Sequence, residues 1–247
     1  MAPAAHLETE DRGAVRVLTL RRPDKLNALN AALLEGLTAA LVDADGDDGV
    51  GALVLAGGPR AFCAGADLAE TRALRGDAQI AAHADRMAGL LRTLARLSKP
   101  TLAAVEGYAL GGGCGLALAC DGLVASTAAT FGYPEVARGV LPALVVPGLV
   151  RRLGPGRALD LLVTGRHLTA AEMDRLGLVA ALVEPGRALE AAVARARTYA
   201  ATDRRLVAEI KALVAASADL PLDAALDRAR EANLRARRQR AREVADG

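Results

Sequence analysis

The chain has 247 residues, 52% of them apolar, which is enough for one large domain or two small ones with a sizeable core. A formal net charge of +2, no Trp, two Phe and three Tyr leave neither a broad basic field nor rings for base stacking, which excludes nucleic acid as a partner. Three cysteines (Cys63, Cys114, Cys120) and three histidines (His6, His83, His167), without metal-ligand spacing, exclude a His/Cys metal centre.

Val15 to Leu20 reads as a strand. Asn30 opens a helical pattern carried by Leu33, Leu34, Leu37 and Leu41. Ala52 to Leu55 is a second strand, and Gly57-Gly58-Pro59 turns out of it into a glycine-bearing loop, "RAFCAGADL" (60–68). Gln79 to Leu97 reads as a long helix that Lys99-Pro100 stops. "TLAAVEG" (101–107) is a third strand, followed by "ALGGGCGLALACD" (109–121), a glycine cluster opening a helix. Short strands follow at Gly122 to Ser126 and near Phe131. Helices dominate after Val140. Thr169 and Glu172 form a capping box, Val179 to Val183 is a late strand, and the chain is helical and charged from Arg187 onward. No linker separates domains. The longest apolar run, Gly107 to Cys120, is shorter than the roughly 20 residues of a membrane span, and no secretory leader precedes the first strand; the expected setting is reducing and cytoplasmic.

The glycine cluster is costly, since each glycine inside a helix loses roughly 1 kcal/mol against alanine. It does not follow G-x-G-x-x-G, because Leu116 and Leu118 stand where the last glycine would be; there is also no G-x-S-x-G and no P-loop. What remains is two glycine loops, each running from a strand towards a helix, and one carboxylate, Glu135, in "FGYPEV" (131–136). The first amides of a helix lack internal partners, so two such loops side by side could aim two N–H groups at one oxygen. Tight packing of helix against strand explains the same glycines without any ligand. Glu135 alone also reads as an acid favoured at a helix start.

In this order, "RRPDKLNALN" (21–30), "AFCAGADL" (61–68), "KPTLAAVEGYALGGGCGLALACD" (99–121), "FGYPEV" (131–136) and "VTGRHLTAAEMDRLGLV" (163–179) resemble the crotonase family, the enoyl-CoA hydratases and isomerases, from about Val15 to Val183. The resemblance implies an α/β fold, a spiral of ββα repeats with a helical C-terminal region. It divides the chain into a core with the thioester site (1–190) and a helical region for trimerisation and pocket closure (191–247). It implies homotrimers or paired trimers, an acyl thioester of coenzyme A as substrate, and no cofactor besides the coenzyme A of that substrate.

Carried over by residue, the resemblance makes the Ala66 and Gly112 amides the oxyanion donors and Glu135 the acid/base. Lys25, Leu26 and Ala28 would contact the nucleotide and pantetheine. Ala64, Gly65, Asp67 and Leu68 would lie beside the thioester, with Asp67 foremost a helix cap. Gly111, Gly115 and Tyr133 would line the pocket. Phe131 and Val136 would raise the Glu135 pKa by apolar burial.

One departure matters. Hydratases of the family usually carry a second glutamate directly after the "GGGC" run, where this chain has Gly115. The expectation is an enoyl-CoA hydratase working with one glutamate. An isomerase that shifts a double bond is the alternative, and a non-catalytic acyl-CoA-binding relative is a further one. His83, Cys63, Cys114 and Asp121 read as structural, and "LRARRQRAR" (234–242) as a solvated helix face.

Overall fold

β1 (Leu7–Asp11) and β2 (Val15–Leu20) pair antiparallel, with Leu7 opposite Leu20, in a computed structural model that describes residues 6–245. α1 (Ala31–Gly46) follows, capped by Asn30, whose side chain accepts from Leu33 N at 3.0 Å. Its buried residues are Leu33, Leu34, Leu37, Leu41 and Ala44, the stripe legible in the sequence.

A unit of two strands and a helix then recurs. β3 (Ala52–Ala56) and β4 (Ala61–Cys63) lead into α2 (Leu68–Ala73) and α3 (Gly76–Arg96). β5 (Thr101–Val105) and β6 (Tyr108–Leu110) lead into α4 (Gly112–Ala119). β7 (Gly122–Ser126) and β8 (Thr130–Gly132) lead into α5 (Val146–Leu153) and α6 (Pro155–Thr164). The first strand of each pair joins a six-stranded sheet, β1-β2-β3-β5-β7-β10, and the second a four-stranded sheet, β4-β6-β8-β9. β3, β5 and β7 run parallel in the large sheet and β4, β6 and β8 in the small one, because a helix returns the chain each time; β1–β2 and β8–β9, the pairs at one end of each sheet, are antiparallel. This is the expected spiral of ββα turns. β9 (His167–Thr169), α7 (Ala170–Arg175), β10 (Ala181–Val183) and α8 (Ala188–Ala200) complete the turns.

Every residue of β2, β3 and β5 is buried, the mark of a sheet covered on both faces. Val15, Val17, Val54 and Leu102 pack with the alanines of α8. Leu18, Leu53, Leu55 and Val105 belong to the larger core, which holds the α1 leucines and the buried face of α4.

The chain forms two compact units, residues 1–201 and 202–247. The second holds α9 (Arg204–Ser217), capped by Asp203, and α10 (Leu222–Ala245), which pack on each other. Arg235, Arg237, Arg238, Arg240 and Arg242 of α10 are all exposed, as a solvated face requires. Residues 246 and 247, the end of the region 191–247, lie outside the described residues. No described helix is long and apolar enough to cross a membrane.

Four strands of this fold carry no clear signal in the sequence, β4 among them, which lies inside what reads as the loop 60–68. β1 alternates weakly, with one buried residue in five. β6 and β9 are three residues long, too short for a period to show. The long helix begins at Gly76, three residues earlier than expected, and α2 occupies the end of what reads as loop. The capping box is present, with Thr169 accepting from Glu172 N and Glu172 accepting from Thr169 N.

Candidate active site

β4 and β6 are parallel neighbours, so the loops that leave their ends emerge side by side. The contact between these loops is backbone against backbone. Gly65 has φ +94°, and a Cβ there would stand 2.8 Å from Leu110 O and 3.2 Å from Gly112 N. A Cβ on Gly113 would overlap the Cys63 carbonyl. Glycine is required at both positions because another backbone, within the fold itself, approaches this closely.

Two amides are left over. The Gly65 carbonyl and the Asp67 N–H both pair with Leu29, at 2.8 and 3.0 Å, which turns the N–H of Ala66 away from that strand. Gly112 opens α4, where an N–H has no helical partner. Neither amide meets an acceptor among the described residues. Ala66 is exposed and Gly112 half-buried, so both can be reached by a ligand.

The segment 22–29 braces the first loop. Leu26 O accepts from Ala64 N at 3.0 Å. Leu26 and Asn27 have φ of +48° and +55°. Asn27 is buried: its amide donates to Ala61 O and Phe62 O, and its Oδ1 accepts from Arg22 N. Arg22 donates to Ala28 O and to Asp67 Oδ2, the latter at 2.9 Å. Asp67 caps α2, accepting from Ala69 N and Glu70 N. Burial would raise the Asp67 carboxyl, but Arg22 and those two amides hold it below the usual carboxylate range. Lys25 and Leu68 are exposed, Ala64 half-buried and Ala28 buried.

The pair of Arg22 and Asp67 is largely enclosed, with side-chain exposures of 12% and 11%. Arg22→Met strands the carboxylate and is expected to lower unfolding stability by about 3 kcal/mol at pH 7 in urea titrations. The sign follows from the depressed pKa. The contribution of Asp67 is present in full above its unfolded value and disappears as pH falls through its folded value. Wild type and variant should therefore converge in acid.

Glu135 follows β8, which joins the second loop through Gly111 N donating to Gly132 O at 2.8 Å. Its carboxyl lies on Gly111 (φ +53°). A Cβ there would stand 3.0 Å from Glu135 Cδ and overlap Oε1. Oε2 is buried with no hydrogen-bond partner, and burial raises the pKa, with the nearby Arg138 charge opposing. Burial raises the pKa as expected, but Val136 is not what buries the carboxyl. Val136 is exposed and points a methyl towards Gly165, and the close contact on the carboxyl is the glycine loop. Loop 64–67, the start of α4 and Glu135 thus meet at one place.

The other candidates surround it. Gly115 lies one turn along α4, half-buried beneath Val145. Tyr133 is buried, its hydroxyl without a partner and neighbouring the Cys114 thiol. Burial pushes the Cys63 and Cys114 thiols up to about 12 and about 11, so both are packing groups, not nucleophiles. His83 lies one turn before Met87 on α3, half-buried, with Nδ1 unpartnered; the Met87 methyl reaches Gly112. Asp121 accepts from the backbone and hydroxyl of Thr101, tying the end of α4 to β5. No cluster of three or more His, Cys, Asp or Glu that could hold a metal occurs among the described residues.

Sequence reasoning assigned no role to Arg22, Asn27, Met87 or Val145. Asn27 carried a faint signal, since Asn tolerates positive φ. The others act through partners 25 to 45 residues away and carried none.

A model of the family described as enoyl-CoA hydratase/isomerase matches residues 10–244. A probable enoyl-CoA hydratase of Rhizobium meliloti (strain 1021) is 47% identical over 195 residues, covering 78% of this chain and 75% of that protein. A short-chain-enoyl-CoA hydratase of Clostridium acetobutylicum is 38% identical over 190 residues, 74% of this chain and 70% of that one. The crystal structure of an enoyl-CoA hydratase of Mycobacterium smegmatis superposes with a TM-score of 0.86 at 33% identity, covering 91% of this chain and 88% of that chain. A match that runs almost from end to end, at these identities and over the same fold, assigns the chain to the enoyl-CoA hydratase/isomerase family, the crotonases.

Proposed function

We propose that the chain hydrates a 2-enoyl thioester of coenzyme A, with the free amides of Ala66 and Gly112 holding the thioester oxygen and Glu135 moving the proton. The observation that carries this reading is the meeting of two unpaired amides and a buried carboxyl oxygen on adjoining loops. The likeness to proteins named enoyl-CoA hydratase supports it.

One carboxylate suffices for the chemistry. Ionised Glu135 takes a proton from water as the water oxygen bonds to C3. The C2=C3 electron pair moves into the thioester, and the resulting oxyanion rests on the two amides. Protonated Glu135 then returns the same proton to C2, and the carbonyl re-forms. A pKa raised by burial suits a group that must accept and release a proton in one turnover. Removing an oxyanion donor from such sites typically costs about 10²-fold or more.

Lys25, Leu26 and Ala28, on the segment bonded to the first loop, would meet the nucleotide and pantetheine of the coenzyme. Ala64, Gly65 and Leu68 would flank the thioester, and Gly111, Gly115 and Tyr133 the acyl group. Asp67 serves the site as a cap and as the partner of Arg22. Trimeric assembly is the proposed state. An exposed apolar pair on α6 (Leu159, Val163) and an exposed stripe on α9 (Leu206, Ile210, Val214) support it by offering each unit a face for burial.

A second reading has an observation in its favour. Val145 fills the space above Gly115, leaving Glu135 without a carboxylate partner there, and a single shuttling carboxylate also serves double-bond isomerisation. Incubation with crotonyl-CoA and with a 3-enoyl-CoA separates the two. Loss of the conjugated thioester absorbance from crotonyl-CoA is expected; its gain from the 3-enoyl substrate, with crotonyl-CoA untouched, would make the protein an isomerase.

A further inference from the structure

Two glycines, Gly111 just before α4 and Gly115 within it, each have a neighbour pressed against them, and a groove lies beside the second. A Cβ on Gly111 would meet the Glu135 carboxyl. A Cβ on Gly115 would stand 2.5 Å from Val145 Cγ1 and 3.3 Å from Val145 Cβ. Gly111 caps α4 and Gly115 lies one turn into it, so Glu135 and Val145 press on neighbouring points of the same segment. Beside Val145 opens a groove of about 500 Å³, whose lining includes Leu118 and Ala119 of α4, Leu91 of α3, and Tyr133. Gly115 and Val145 are themselves among the residues that line it, as are Arg92, Arg151 and Arg152.

Val145 is a firm partition. It is 6% exposed, ends the turn Ala143–Val145, and is held between Pro142 and Pro147. Its branched side chain has little rotameric freedom. The groove it closes off is within the size range of ligand pockets and has an apolar floor.

We propose that Val145 is the end wall of the acyl site, limiting the substrate to short acyl chains by sealing Glu135 from this groove. The inference rests on the acyl-thioester reading above. Cutting Val145 back joins the groove to the site and gives a longer acyl tail somewhere to go. Each methylene then buried adds about fourfold in affinity, from about 0.8 kcal/mol.

The test measures binding of saturated thioesters, so no turnover is required. Butyryl-CoA and decanoyl-CoA are titrated calorimetrically into wild type, Val145→Ala and Val145→Gly, with circular dichroism as a check of folding. Decanoyl-CoA should bind at least tenfold tighter to the variants than to wild type, while butyryl-CoA stays within about threefold. Ala119→Leu, which refills the groove, should leave wild-type affinities unchanged and cancel the gain in the Val145→Ala background. Val145→Cys, a smaller cut, should move the ratio in the same direction and serves where the deeper cuts do not fold. An unchanged ratio of decanoyl to butyryl affinity in folded variants overturns the wall, as does an equal loss of both. Binding of neither thioester by wild type overturns the acyl-thioester reading itself.

Discussion

Glu135→Gln should lose about 10³-fold in kcat and yet melt higher than wild type at pH 7.5. The loss follows because the amide can neither take a proton from water nor return one to C2. The gain follows because Oε2 is buried without a partner and burial disfavours the ionised form. A carboxyl whose pKa is raised by folding keeps its proton to higher pH in the native state than in the unfolded chain. Ionisation therefore erodes stability as pH rises from the unfolded value through the folded one, and the erosion is complete above the latter. Above that window the variant should be the more stable, because its amide carries no charge to bury, and below the unfolded value it should gain nothing. Steady-state rates on crotonyl-CoA and thermal melts at pH 4 and pH 7.5 check both halves. In wild type, the acid limb of kcat/KM should lie above the usual carboxylate range. Full activity in the variant would remove Glu135 from the chemistry.

Gly65→Ala should reduce kcat by about 10² to 10³, as losing one oxyanion donor does, and lower stability by roughly 2–3 kcal/mol. A side chain at φ +94° is strained, and its Cβ would press on Leu110 O and Gly112 N, both backbone atoms that cannot rotate aside. The two loops must separate, and the two amides with them. Gly112→Ala is the contrasting variant. There the nearest atom is the Met87 Cε, at 2.9 Å, the free end of a flexible side chain, and the next is Leu29 Cδ1 at 3.7 Å. That variant keeps its N–H and should stay within about tenfold of wild type. Equal losses in the two would show that packing, not the apposition of amides, is what the glycines serve. Steady-state kinetics and urea unfolding of both variants decide it.

The parts of the molecule written in the sequence are those whose causes are local. Asn30 and the leucines of α1 make a cap and a stripe within a few residues of each other, and Thr169 with Glu172 closes a capping box in three. The buried strands announce themselves as apolar runs. The glycine cluster and "FGYPEV" flagged two loops and an acid because glycine at a helix start and a carboxylate among apolar residues are costly unless something uses them.

Tertiary structure alone decided how these pieces meet. Gly111 is 24 residues from Glu135, Gly115 is 30 from Val145, and Arg22 is 45 from Asp67. No pattern within either partner of such a pair encodes the other. Gly111 meets Glu135 because the parallel strands β6 and β8 of the small sheet deliver successive loops side by side, whereas Arg22 reaches Asp67 from the end of β2 in the large sheet; a parallel crossover necessarily joins segments far apart in sequence. The three-residue strands β4, β6, β8 and β9 are held the same way, by neighbours in the sheet and not by their own alternation.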